Sequence, residues 1–441
     1  MFNTFRKVAK NSIIYGLGNL STKLVGFILL PLYTGYITVS DYGILAITEI
    51  SSTIIIAVIS LRIEAALFRW YWDKDFISKQ KSIFFSSLLM MILLGILFLI
   101  PLIIFSNSIS ILLFSSEKYV YLLQLMAISS VLQIIIELIN YLMRIQEISI
   151  FYTKNSLLKL FISLILTILF IVKFERGING IFEAQIISQI IFFIFTSKYV
   201  KQNITLKFEG NIIIEMLKFS SPLILAGLSG IIFTASDRIC LNFMDSLSQV
   251  GIYSIGFKVS NTIKIFLYNS AMMAVSPVIY QFIDKPGNKR FYSKLLTYFT
   301  FFIMVFVIFF SLFAKDIIYL FAQNESYYDA WKVIPFLTFA ILFGVMKDVS
   351  ITGLNITKKT GLIAIVIFIM SLLNIGLNIY FIPIYSSQGA SLATLITSII
   401  SFAIFYNISQ KYYWIPYELK KVFLVLIIGF AIIMISLFLI N

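Results

Sequence analysis

Val39-Ser-Asp-Tyr-Gly-Ile-Leu45 follows the first long apolar run of the chain, and Leu247-Ser-Gln-Val-Gly-Ile-Tyr253 follows the seventh, so Gly43 and Gly251 stand 208 residues apart in matching contexts. A second pair, Ile178-Asn-Gly-Ile-Phe-Glu-Ala-Gln-Ile-Ile-Ser188 and Ser387-Gln-Gly-Ala-Ser-Leu-Ala-Thr-Leu-Ile-Thr397, aligns Gly180 with Gly389 at an offset of 209 residues. Two offsets that agree to within one residue describe a duplicated chain whose halves keep register. Six apolar runs lie in each half, and because six is even both halves enter a membrane in the same direction. That is a parallel repeat about an axis along the membrane normal, the arrangement of an alternating-access transporter.

The apolar runs need lipid as solvent. Of 441 residues, 60% are hydrophobic and 12% charged, and the mean hydropathy is +0.98, more apolar surface than a soluble core of this length can bury. A spanning helix takes roughly 20 apolar residues. Thirteen candidate spans result: Ser12–Leu32, Tyr42–Leu61, Ser82–Phe105, Val120–Met143, Asn155–Val172, Gly180–Tyr199, Ser220–Phe243, Val250–Ile279, Leu295–Phe313, Val333–Leu354, Gly361–Tyr380, Gly389–Gln410 and Val422–Ile440. With a cytoplasmic N-terminus, the inward segments hold 24 lysines and arginines and the outward segments 5, the asymmetry expected of an inner-membrane protein with this span count. Trp70-Tyr71-Trp72 and Tyr412-Tyr413-Trp414 fall at inward interfaces. The run from Ser12 is too long for a secretory h-region and is read as an uncleaved first span.

The net charge of +14 sits in short clusters between apolar runs and forms no continuous face, which argues against nucleic acid as partner. The chain has one cysteine, Cys240, and no histidine, so it lacks an internal disulfide, the usual structural zinc ligands and the commonest general base. No phosphate-cradling G-x-x-x-x-G-K-[ST] loop is present. An enzyme, or any resident cofactor, has little to build on here.

Charges inside spans carry the information, because each costs about 2.5–3.5 kcal/mol at the bilayer centre on insertion scales. Ser12, Gly16, Asn19 and Lys23 share one helical stripe of the first span, with Lys23 near mid-depth. Arg238 lies beside Asp237 toward the outer end of the seventh span. In the eighth, Ser254, Lys258 and Asn261 share a stripe, with Lys264 roughly 80° away. Lys23, Arg238, Lys258 and Lys264, with Asn19 and Asn261, are therefore expected to line a cationic cavity suited to a phosphate-bearing lipid headgroup. The alternative for each is local: Lys23 pairing with Glu49, and Arg238 pairing with Asp237 or reaching the interface. Glu49, Glu137 and Glu183 are the candidates for coupling to H+ or Na+, with salt bridging as their alternative role. Lys347 and Asp348 are read as reaching the cytoplasmic interface and are left out of the site.

These features resemble the polysaccharide-transport flippases of the multidrug/oligosaccharidyl-lipid/polysaccharide transporter superfamily. The resemblance rests on Asn11-Ser-Ile-Ile-Tyr-Gly-Leu-Gly-Asn-Leu20, Leu30-Pro-Leu-Tyr-Thr34, Val39-Ser-Asp-Tyr-Gly43, Ala235-Ser-Asp-Arg238, Val250-Gly-Ile-Tyr-Ser-Ile255 and Gln388-Gly-Ala-Ser-Leu-Ala393. It implies an all-α integral membrane protein with two six-helix lobes, residues 1–205 and 206–410, in a V-shaped transporter, plus one additional C-terminal span in residues 411–441. The cargo it implies is an undecaprenyl-diphosphate-linked oligosaccharide for O-antigen or capsule synthesis, moved from the cytoplasmic to the outer leaflet of the inner membrane. Membrane lipids and other polysaccharide-assembly membrane proteins are the expected partners. A lipid II flippase and a drug or cation antiporter are the alternatives within the superfamily. A membrane-embedded polymerase is the remote one, since it calls for a longer outer loop than this chain offers.

Overall fold

The computed structural model describes residues 26–283 and 285–440. Every regular element among them is helical: α1 (Leu30–Tyr36), α2 (Val39–Ile59), α3 (Ile63–Trp70), α4 (Gln80–Ile104), α5 (Ser106–Phe114), α6 (Val120–Ile145), α7 (Ser149–Ile168), α8 (Gly177–Gln202) and α9 (Gly210–Met244) lead into α10 (Leu247–Thr262), α11 (Asn269–Gln281), α12 (Asn288–Leu312), α13 (Ala314–Phe321), α14 (Ile334–Ser350), α15 (Thr352–Ile356), α16 (Thr360–Tyr412) and α17 (Leu419–Ile440). Wider π turns continue α7 through Leu169–Lys173 and join α10 to α11 through Ile263–Tyr268. Nine helical stretches among the described residues are long and apolar enough to cross a membrane. Helices stand at each expected span from the second to the thirteenth, while most of the first, with Asn19 and Lys23, lies outside the described residues.

Burial follows the logic of lipid, not water. Helix α4 turns Ser82, Ser86, Ser87 and Gly95 inward and leaves Leu93, Leu97, Ile100 and Ile104 exposed. Small residues let helix backbones approach, and the large side chains contact hydrocarbon. The buried hydroxyls of Ser86 and Ser87 return to carbonyls of this helix one turn earlier, to Ser82 at 2.8 Å and to Ile83 at 2.9 Å, so neither is stranded.

The chain divides into two compact units. One holds residues 44–231, and its core gathers Ile63, Leu67, Phe84, Leu142, Phe192 and Met216. The other holds residues 27–43 and 232–441, with Tyr292, Leu296, Ile303, Leu342 and Val345 at its centre. Inside this second unit the two copies of the glycine motif meet. A Cβ on Gly43 would lie 1.9 Å from the Leu247 carbonyl oxygen, and one on Gly251 would lie 2.2 Å from the Val39 carbonyl oxygen. Each glycine thus admits the first residue of the other's helix, a reciprocal contact that relates the starts of α2 and α10 by a local twofold.

One sharp turn sets up the site. Within α16 the helical path breaks at Ser386, with φ 54° and ψ −132°, three residues after Pro383, so residues 360–385 and 387–412 are separate helices folded back on each other. The turn is tight enough that a Cβ on Gly389 would meet the Phe381 carbonyl oxygen at 2.2 Å. Only glycine fits there.

Candidate functional site

The Ser386 turn brings residue 374 beside residue 397, and the Asn374 amide donates to the Thr397 hydroxyl at 3.3 Å. Around that contact four helices assemble a buried polar cluster. Asp237, from α9, accepts from the Tyr253 hydroxyl of α10 at 2.5 Å and from Thr394 at 2.7 Å on one carboxylate oxygen, and from the Asn378 amide at 2.9 Å on the other. Asn374 Oδ1 accepts from Asn378 at 2.9 Å and from Ser236 at 2.5 Å. Asp237 is 2% exposed, and Tyr253, Asn374 and Asn378 are no more so. A carboxylate at this depth is tolerable only because hydrogen bonds replace its water. No ammonium or guanidinium among the described residues forms an ion pair with it, and the Asn378 side-chain carbonyl is buried without a donor. An acid without an ion-pair partner among the described residues, beside an unused carbonyl oxygen and two hydroxyls, is an oxygen donor set of the kind hard cations take.

From this cluster a slot of about 110 Å³ runs between helices of the second unit. Phe257, Asn261 and Lys264 line it from one side, Leu337, Ala340, Ile341, Gly344 and Lys347 from α14, and Thr394, Ser398 and Ser401 from 387–412. These positions recur at intervals of three and four, so each helix gives the slot one face. Asp237 closes one end. At the other, Asp348 holds the Lys347 ammonium at 3.1 Å and the Lys264 ammonium at 3.6 Å. One carboxylate thus serves two lysines.

The residues expected to line a cationic cavity separate into groups. Lys264 and Asn261 face the slot together. Lys258 turns to a different face, its ammonium over the rings of Tyr33 and Tyr42 at 5.6 and 5.5 Å. The Arg238 guanidinium lies 4.4 Å over the Phe257 ring and donates to the Thr234 carbonyl, with its Nε unpartnered. It is not drawn to the neighbouring Asp237, whose oxygens are already engaged. Lys23 and Asn19 fall outside the described residues.

Among the acidic candidates, Glu49 is exposed on α2. Glu183 is held by Arg176 at 2.5 Å and by the Tyr121 hydroxyl at 3.1 Å, the salt-bridging role. Glu137 lines a small internal gap with Ser60 and Glu64 in the first unit and accepts from Gln133 at 3.3 Å, while Gln133 accepts from Lys159 at 3.0 Å.

Two parts of the site escaped sequence reasoning. Lys347 and Asp348 were left out of the site, yet Lys347 faces the slot, with only 16% of its side chain exposed, and Asp348 pairs with it and with Lys264. Helix α14 ends at Ser350, less than one turn beyond them, and α15 carries the chain on to Ile356. Asn374, Asn378, Thr394 and Tyr253 were passed over as uncharged. The legible signal was Asn374 and Asn378 at i and i+4 in an otherwise apolar span, two amides on one helix face.

The family described as polysaccharide biosynthesis protein matches residues 8–283, more than half of the chain. The chain belongs to this family. The MatE family also matches, over residues 222–380, and the two together put this polysaccharide biosynthesis protein in the multidrug/oligosaccharidyl-lipid/polysaccharide superfamily. A solved structure described as the lipid II flippase MurJ in an inward closed conformation covers 96% of this chain and 92% of its own, with TM-score 0.77 and 17% identity. An inward-facing multidrug resistance MATE family transporter covers 87% of this chain and 94% of its own, with TM-score 0.73 and 15% identity. At such identities the likeness concerns the fold. Among curated proteins, the Lsg locus putative protein 1 of Haemophilus influenzae is 39% identical over 66 residues, which span 15% of this chain and 16% of that protein. The families and structures it resembles are transporters, not enzymes.

Proposed function

We propose that this polysaccharide biosynthesis protein is a flippase that carries an undecaprenyl-diphosphate-linked oligosaccharide from the cytoplasmic to the outer leaflet of the inner membrane by alternating access, with its N-terminus cytoplasmic. The observation that carries this reading is the cluster of cations in the second unit. Arg238 and Lys347 lie in helices long and apolar enough to cross a membrane, Lys347 and Lys264 line one slot with Asp237 and share Asp348, and Lys258 precedes Lys264 by six residues. A diphosphate leaving headgroup water needs that positive field in place of its hydration. A carrier of small cationic drugs would need the opposite sign.

A second feature fits the lipid half of such a cargo. Between α14, 387–412 and α17 lies a groove of about 690 Å³ walled by Phe336, Phe339, Phe343, Leu426 and Phe430, with Gln388 and Lys332 among its lining residues. An isoprenoid chain can lie there while its diphosphate stays with the basic residues.

The transport step is coupled to a cation at Asp237. A proton would neutralise the carboxylate but leave the Asn378 carbonyl unused, whereas a sodium ion would engage both, which favours sodium. A flipping assay in liposomes with fluorescent undecaprenyl-diphosphate oligosaccharide, comparing wild type with Lys23→Ala and Lys258→Ala, tests the reading. Wild-type rates in both variants would end the cationic-cavity mechanism. Adding unlabelled lipid II as competitor separates the nearest alternative, because a lipid II flippase would be inhibited at far lower competitor concentration.

A further inference from the structure

We infer that the slot of the second unit binds a cation and a phosphate anion together, Asp237 taking the cation at one end and the Lys264–Asp348–Lys347 group taking a phosphate or phosphate-ester anion at the other, so that each ligand strengthens the other. This rests on the proposed flippase reading and adds how its cargo and its ion communicate. Asp237, Asp348, Lys264 and Lys347 balance as a group. Asp237, Lys264 and Lys347 line the slot, Asp348 pairs with both lysines from beyond its lining, and Arg238 also lies outside the lining, over the Phe257 ring. A cation arriving at Asp237 removes that balance and leaves a net positive slot inside a membrane-embedded unit, where an uncompensated charge is costly. The lysines are where an anion restores neutrality. Asp348 satisfies only part of their charge, and Asn261, Ser398 and Ser401 supply neutral polar groups along the way.

The dimensions suit small groups. A volume of about 110 Å³ holds roughly three or four waters or one phosphoryl group with little to spare, so a sugar stays outside. Thr394 and Ser401 on one helix are seven residues apart, which sets the two ends about 10 Å from each other. At that separation and an effective dielectric of about 20, a unit charge at one end changes affinity at the other about tenfold. By linkage the factor is the same in both directions. The sign is the informative part: cation and anion bind cooperatively here, where an exchanger that swaps them at one site would show competition.

The test measures equilibrium binding to the full-length protein in detergent at constant ionic strength, with sodium chloride or choline chloride as the salt. Inorganic pyrophosphate and farnesyl diphosphate are the two anionic probes. The expected result is about tenfold tighter anion binding in sodium than in choline, and a matching gain in sodium affinity when the anion saturates. Pyrophosphate responding as strongly as farnesyl diphosphate means that the free anion suffices, and a response of farnesyl diphosphate alone assigns the site to lipid headgroups. Asp237→Asn is expected to abolish the sodium effect on anion binding, and Lys264→Gln with Lys347→Gln to remove the anion's effect on sodium binding while sodium still binds. Wild-type protein that binds sodium and a diphosphate with affinities independent of each other overturns the inference and leaves the flippase reading standing. Wild-type protein that binds neither removes both.

Discussion

Gly43 and Gly251 occupy equivalent places in the two halves of the sequence and face each other's helix starts in the folded chain, each with room for a hydrogen and not for a methyl group. The obstacle in both cases is a backbone carbonyl, Leu247 for one and Val39 for the other, and a carbonyl cannot rotate away as a side chain would. The contact is flanked by Tyr327, whose hydroxyl donates to the Ile37 carbonyl at 2.7 Å, and by the edge-on packing of Tyr42 and Tyr327.

Gly43→Ala and Gly251→Ala are therefore expected to destabilise the second unit by about 1–3 kcal/mol or more, the range for overpacking a tight contact. Thermal melting in detergent measures it. Gly26→Ala, at a position where no atom of the described residues lies within 4 Å of the added carbon, is the control and should melt with wild type.

Asp237→Asn keeps the size of the side chain and most of its hydrogen-bonding capacity, so the protein should fold. Flipping should lose its dependence on the cation gradient, read as equal rates with and without imposed sodium. Asn378→Leu is different in kind. It strips Asp237 of a donor and is expected to cost about 1–3 kcal/mol in the melt.

Glu183→Gln should leave the cation dependence of transport unchanged, because its carboxylate is already neutralised by Arg176. A loss of dependence in this variant equal to that of Asp237→Asn would move the coupling site to the first unit.

In the first unit, Gln133 stands between Lys159 and Glu137, accepting from one and donating to the other. Glu137→Leu leaves Lys159 without its counter-charge. The expected loss in the melt is below the roughly 3–5 kcal/mol seen when a directly paired buried charge is orphaned, because an amide intervenes. Lys159→Met added to Glu137→Leu should recover part of it.

The membrane class and the helix positions follow from hydropathy alone, because in hydrocarbon every backbone donor must bond within its own segment and a run of some 20 apolar residues has only the helix available. The duplication was equally legible, since matched glycines 208 and 209 residues apart mark close approaches that no other residue permits. Charge at span depth drew attention to Lys258, Lys264 and Arg238, but periodicity tells which residues share a face of one helix and not which other helix that face will meet. Asn261 was grouped with Lys258 and instead looks into the slot with Lys264. Pairing with Asp237 was the alternative role considered for Arg238, and the structure gives that carboxylate to other partners. It is claimed instead by Tyr253, Asn378 and Thr394, which lie 16, 141 and 157 residues further along the chain.

The sequence by itself therefore determined the solvent, the helices and the repeat, because each of these is decided by residues within one segment or by a comparison of two segments. Tertiary structure alone decided the site. A buried carboxylate is stabilised by whichever donors packing brings within about 3 Å, and here packing depends on the Ser386 turn, the Gly389 approach and the helix crossing at Gly43 and Gly251, which together set where four distant helices touch.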